Sequence, residues 1–141
     1  MNLKPLAFRI RPQLLEEVIG QKHLIGKDGF LTNSVESHTL FSIIFYGNPG
    51  CGKTTIAEAY AQSMKVKFVK LNAVTSNKKD LEDAIRECSM FDEAIIIMDE
   101  VHRMNKDKQD ILLPYIENGT IYLLGMTTQN PYMAINKAIR S

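Results

Sequence analysis

Residues 47–54 read Gly-Asn-Pro-Gly-Cys-Gly-Lys-Thr and fit the pattern G-x-x-x-x-G-K-[ST] without a mismatch. No other stretch restricts the fold as strongly, because the pattern works only where a strand runs into a glycine-rich turn that opens a helix. The flanks agree: the apolar run 41–46 precedes the loop and a helical stretch, 54–64, follows it. Glycines let the backbone come close to an anion, and successive N–H groups then point inward as a nest. The helix start adds unpaired N–H groups and the positive end of its dipole. Lys53 is placed to reach β- and γ-phosphates and the Thr54 hydroxyl to ligate Mg²⁺, while Pro49 stiffens the loop. Gly47, Asn48, Pro49, Gly50, Cys51, Gly52, Lys53 and Thr54, with Thr55 just beyond, are the candidate nucleotide-binding residues. The bland alternative, a glycine turn with no ligand, requires all of these matches to coincide by chance.

From residue 41 onward, strand and helix signals alternate. Strands are expected over 41–46, 67–71, 94–98 and 121–125, with helices over 54–64, 80–88 and 105–117. The helices carry apolar residues at 3–4 spacing: Ile56, Tyr60 and Met64 in the first, Leu81, Ala84, Ile85 and Cys88 in the second. Pro114 falls inside the third and should kink it. The rhythm predicts an α/β fold, a mostly parallel sheet with helices on both faces, in which ligands bind at the carboxyl ends of strands. Residues 1–40 read as an irregular arm with short helices, one of them over 30–37; residues 41–141 read as the nucleotide-binding core.

Ile95-Ile96-Ile97-Met98-Asp99-Glu100 is next in weight. Four apolar residues bury a strand and two carboxylates emerge at its end. Asp99 would hold Mg²⁺, largely through water, and Glu100 would polarise an attacking water. The next expected strand ends in Gly125-Met126-Thr127-Thr128. A polar residue there can touch the γ-phosphate or the water, with Thr128 preferred and Thr127 next. Asn72 ends the second expected strand; it either hydrogen-bonds and restrains Glu100 or satisfies the backbone of a local turn. His23, His38 and His102 form no ligand cluster and read as surface or local structural residues.

Composition adds exclusions. With 45% hydrophobic residues there is enough apolar material for one domain's core. A net charge of +1 gives no global field toward nucleic acid or membrane. The lysines at 65, 67, 70, 78 and 79 therefore read as a solvated face. Cys51 and Cys88 lack metal-ligand spacing and read as reduced thiols of a cytosolic protein. No segment has the length or composition of a signal peptide or membrane span.

With these motifs in place, the chain resembles the N-terminal part of a AAA+ ATPase, within the replication-associated recombination protein A group, the bacterial relatives of the Werner-helicase-interacting protein. The residues that carry the resemblance are Arg11-Pro12, Ile19 to Leu24, Leu71 to Val74, Asp99 to Arg103, Glu117 to Ile121 and Gly125 to Pro131, together with the phosphate loop. The Asn130-Pro131 pair favours this group over Holliday-junction motors and clamp-loader subunits. The resemblance implies that Ile19 and Gly20 line the adenine pocket. It further implies that 47–54 is the Walker A loop, Asp99 and Glu100 the Walker B pair, Thr128 the first sensor, and Asn72 the restraint on Glu100. It implies ATP and Mg²⁺ as ligands, a homo-oligomeric ring, DNA at replication forks as the object of the work, and single-strand-binding protein as a partner in the bacterial cytoplasm, at the nucleoid.

The family's Ser-Arg pair would begin at Ser141, where the chain stops. A fifth strand, the helical lid and a C-terminal oligomerisation region are likewise expected beyond it, so the chain reads as a fragment, weak or inactive alone. Other classes remain open on the residues. A small-molecule P-loop kinase would carry an Arg-rich lid, which is not found. A non-hydrolysing nucleotide-binding module would have no use for Glu100.

Overall fold

A computed structural model describes residues 29–47 and 52–129 and the backbone of 13–16. Five strands form one sheet: β1 (Gln13–Glu16), β2 (Ile43–Tyr46), β3 (Lys67–Asn72), β4 (Ala94–Asp99) and β5 (Ile121–Thr127). Their order is β1-β2-β5-β4-β3, and every pairing is parallel. The helices are α1 (Phe30–Glu36), α2 (Lys53–Met64), α3 (Lys78–Cys88) and α4 (Lys106–Glu117), with a 3-10 turn at Val101–Arg103. The expected α/β class, with a parallel sheet and helices on both faces, is observed.

Burial explains the order. β4 lies between β3 and β5, and Ala94 to Met98 are all buried. A parallel strand covered on both faces needs such an unbroken apolar run. On one face Ile95 and Ile97 pack with Ile56, Ala57, Tyr60, Ala61 and Met64 of α2. On the other, Ile96 and Met98 pack with Leu81, Ala84, Ile85 and Cys88 of α3 and Leu112 of α4. The faces expected for α2 and α3 are the faces that are buried. Cys88 is a free, buried thiol whose pKa burial pushes up to about 11, so it is protonated and unreactive at neutral pH.

Several expectations are corrected. Residues 13–16 are not part of an irregular helical arm; they pair with β2, Gln13 opposite Ile43 and Glu16 opposite Tyr46. The sheet of the described residues therefore has an N-terminal edge strand beside β2. The first strand of the core begins at Ile43 rather than Phe41, and β5 runs on to Thr127 rather than stopping at Gly125. α3 starts at Lys78, not Asp80. Asn77 caps it by accepting from the Asp80 amide at 2.8 Å, and the Asp80 carboxylate accepts from the Asn77 amide at 2.9 Å. This reciprocal box places Asp80 in the third helical position. α4 continues through Pro114, and the Pro114 carbonyl accepts from the Asn118 amide at 3.0 Å.

One contact fixes the upper end of the sheet. The 3-10 turn after β4 lies against β5 at Gly125. A Cβ on Gly125 would sit 2.9 Å from Ile44 Cδ1 and 3.0 Å from Val101 Cγ1. Glycine is needed there for close approach. Gly125→Ala should cost about 1–3 kcal/mol by overpacking, read as a lower urea midpoint, and trimming Val101 to Ala in that background should recover part of the loss.

Candidate functional site

The parallel sheet brings the carboxyl ends of β2, β4 and β5 to one edge. β5 pairs with β2 so that Thr127 stands opposite Tyr46, and the Gly47 amide extends the ladder by donating to the Thr127 carbonyl at 3.2 Å. The start of the phosphate loop is thus hydrogen-bonded to the end of β5. At the other end of the loop, Gly52 takes the left-handed conformation, φ 89°, as the N-cap of α2, a geometry that favours glycine. Asn48, Pro49, Gly50 and Cys51 lie outside the described residues, as do Ile19, Gly20, Asn130, Pro131 and Ser141.

Lys53 opens α2 and is buried, and its ammonium donates to the Gly47 carbonyl at 2.8 Å. The lysine therefore bridges the two ends of its own loop. Beside it lies a cleft of about 450 Å³ lined by Gly52, Lys53, Thr54, Thr55, Asp99, Glu100, Thr127 and Thr128. Of the expected site residues within the described set, Gly47 and Asn72 do not line this cleft; Asn72 lines an adjoining pocket with Thr54 and Asp99.

The acidic pair is separated by backbone geometry. Asp99 is the last residue of β4 and the first exposed one. Glu100 leaves the strand in the left-handed region, φ 53° and ψ 42°, a conformation costing a non-glycine residue on the order of 1–2 kcal/mol. Two hydrogen bonds hold it: its amide donates to Asp99 Oδ1 at 2.8 Å, and its carbonyl accepts from the Arg103 amide at 2.8 Å. The two carboxylates thus leave the strand in different directions.

The donor set fits a hydrated divalent cation held jointly with a phosphate. Among the described residues no three His, Cys, Asp or Glu side chains converge on a metal position. Thr54 and Asp99 supply one hydroxyl and one carboxylate. Mg²⁺ uses few protein ligands in this way and completes its octahedron with water and phosphate oxygens.

Thr127 and Thr128 part company. Thr128 is exposed on the cleft, as expected of the phosphate-facing residue. The second choice, Thr127, is buried, and its hydroxyl is engaged by His102 Nδ1 at 2.7 Å and the Gln129 amide at 3.0 Å. His102, read from the sequence as a surface or local structural residue, lies between that hydroxyl and Glu100, its Nε2 3.6 Å from Glu100 Oε1. Its Thr127 partner comes from a strand 25 residues later, so no local spacing pointed to it.

The side-chain carbonyl oxygen of Asn72 closes a local turn: Oδ1 accepts from the Val74 and Thr75 amides at 2.7 and 3.1 Å. Of the two sequence readings, the local turn is the one observed, and Glu100 faces His102 instead. Lys108 of α4 braces the same turn, its ammonium donating to Ser76 O at 2.6 Å and Ala73 O at 3.3 Å. The basic residues of this region behave as a solvated face: Lys67 pairs with Glu87, Lys70 with Glu58 and Lys79 with Asp83.

Comparison with known proteins agrees with this geometry. Residues 43–141 match the model of the ATPase family associated with various cellular activities (AAA). Replication-associated recombination protein A of Bacillus subtilis is 55% identical over 139 residues, which is 99% of this chain and 33% of that protein. The ATPase WRNIP1 of Dictyostelium discoideum is 42% identical over 99% of this chain and 16% of its own length. The chain thus spans a third or less of these relatives. The solved Thermotoga maritima RuvB Holliday junction branch migration motor superposes with a TM-score of 0.61 at 22% identity, over 87% of this chain and 45% of that one, a likeness of fold. The resemblance drawn from the motifs is thereby borne out.

The turn assigned to Asn72 has a thermodynamic consequence. Asn72→Ala removes the acceptor of two backbone N–H groups and should lower stability by about 1–2 kcal/mol in chemical denaturation; an unchanged midpoint would rule the assignment out.

Proposed function

The chain belongs to the AAA family of ATPases, and on that premise we propose that the full-length protein hydrolyses ATP and couples the reaction to work on DNA during replication and recombination. The observation that carries the chemical half is the convergence of Lys53, Thr54, Asp99, Glu100 and Thr128 on one cleft. Lys53 supplies positive charge where the β- and γ-phosphates of the substrate would lie. The loop amides and the start of α2 would hold the same anion. Thr54 and Asp99 are the residues that would hold Mg²⁺, which when bound neutralises charge developing on the phosphate oxygens. Glu100 accepts the proton of the attacking water as its oxygen bonds to the γ-phosphorus and the bond to the ADP oxygen breaks. The exposed hydroxyl of Thr128 orients that water or the γ-phosphate.

The cellular half rests on similarity to replication-associated recombination protein A and WRNIP1. From it follow the finer proposals: DNA at stalled or damaged forks, repair as well as recombination, a homo-oligomeric ring in which a neighbour completes the ATP site, single-strand-binding protein as a partner, and a cytoplasmic, nucleoid-associated location. Among the described residues no helix is long and apolar enough to cross a membrane. Lys67, Lys70 and Lys79 each pair with a carboxylate, and DNA contact is proposed for the full-length protein. Ile19 and Gly20 remain the proposed adenine contacts.

Substituting Glu100 by Gln in the full-length protein should lower kcat by about 10²–10⁴-fold, the usual contribution of a positioned general base, and leave ATP bound. A nucleotide-binding module without turnover would show the same phosphate release before and after the substitution.

A further inference from the structure

We propose that His102 is a positioning residue that orients Glu100, and that the Thr127 hydroxyl holds its imidazole ring in the orientation in which it does so. The inference rests on the ATPase reading of this cleft and adds to it a link between β5 and the base. The Nδ1–Oγ1 contact fits either tautomer, and the facing carboxylate decides between them. Thr127 Oγ1 accepts from the Gln129 amide, leaving the hydroxyl's single proton to donate elsewhere. His102 Nδ1 lies 2.7 Å away. If Nδ1 accepts that proton, Nε2 carries the ring's own hydrogen, directed at Glu100 Oε1. The opposite tautomer would set a bare nitrogen lone pair against a carboxylate, a repulsive arrangement. At 3.6 Å the Nε2 to Oε1 contact is beyond hydrogen-bonding range. It acts electrostatically and closes to a hydrogen bond with a small rotation of the glutamate.

The link is anchored at both ends. The 3-10 turn carrying His102 is seated by Val101, buried against Gly125. It is closed by the Met104 amide donating to Val101 O at 3.1 Å, while the buried Gln109 amide group donates to Met104 O at 2.8 Å. Thr127 ends β5, and Thr128, the next residue, faces the cleft. Any shift of the Thr128 turn that follows γ-phosphate binding or release therefore moves the hydroxyl that holds the imidazole, and through it the direction of the Glu100 carboxylate.

The test is ATP turnover and binding of a non-hydrolysable ATP analogue by the full-length protein, with His102→Ala, Thr127→Val, their combination, and Thr127→Ser. Both single losses should lower kcat by about tenfold or more, within the range of a misaligned general base, with analogue affinity and KM within about twofold. Thr127→Ser, which restores the hydroxyl, should recover most of the rate. The double variant should be no slower than His102→Ala, because two residues acting through one contact are not additive. Undiminished kcat in His102→Ala, a faster rate, additive losses, or a loss confined to analogue affinity overturns the proposal. Should Thr127→Val fail to fold, His102→Ala at its partly buried position decides by the same criterion. If Glu100→Gln abolishes turnover while His102→Ala leaves it intact, only this proposal fails; turnover indifferent to Glu100→Gln removes the ATPase reading with it.

Discussion

The parallel registry of β2, β5 and β4 is the constraint on which the rest of the site depends. Parallel strands deliver their carboxyl ends to one edge, so each loop that leaves the sheet there meets the others. The hydrogen bond from Gly47 N to Thr127 O carries the β2–β5 ladder one step past the sheet. It ties the loop that would hold the phosphates to the residue that precedes Thr128. Slipping either strand by one position would reverse its faces and bury the wrong set of side chains. The hydrophobic requirement of the core therefore sets the registry of the catalytic edge. β4 shows this most clearly. Ala94 to Met98 are buried without a break and Asp99 is exposed, so the point where burial ends is the point where the carboxylate enters the cleft.

The parts of this arrangement legible in the sequence were those in which local pattern and tertiary role coincide. The phosphate loop is written in contiguous residues. The core strands and α2 and α3 announced themselves by unbroken apolar runs or by 3–4 spacing, and their buried faces are the ones the spacing indicated. Asp99, Glu100 and Thr128 follow from where strands end. What was not legible depends on partners distant in sequence. Gln13-Leu14-Leu15-Glu16 has no β-branched residue and no alternation; it is a strand because β2 offers an open edge to pair with. The Asn77–Asp80 cap is the exception, a local pair three residues apart that was passed over. His102 is one imidazole after an acidic pair, and only the fold supplies Thr127 as its second contact. Asn72 was open to two readings, and its side-chain carbonyl oxygen closes the local turn that one of them described.

The left-handed backbone at Glu100 shows how the two carboxylates acquire separate tasks. Along a regular strand, successive side chains point to opposite faces, and Glu100 would turn back toward the packed helices. The φ of 53° breaks that alternation and sends the chain into the 3-10 turn. The cost, on the order of 1–2 kcal/mol, is offset by the hydrogen bonds to Asp99 Oδ1 and from the Arg103 amide and by burial of Val101. Val101 can be buried there only because residue 125 has no side chain. A glycine in β5 thus permits the turn, the turn offsets the strain at Glu100, and the left-handed backbone keeps the base on the cleft shared with the metal-facing aspartate. The backbone of Glu100 is pinned while its side chain keeps its rotamers. The direction of the carboxylate is therefore left to the groups around it, and among the described residues the imidazole of His102 is the one placed to set it.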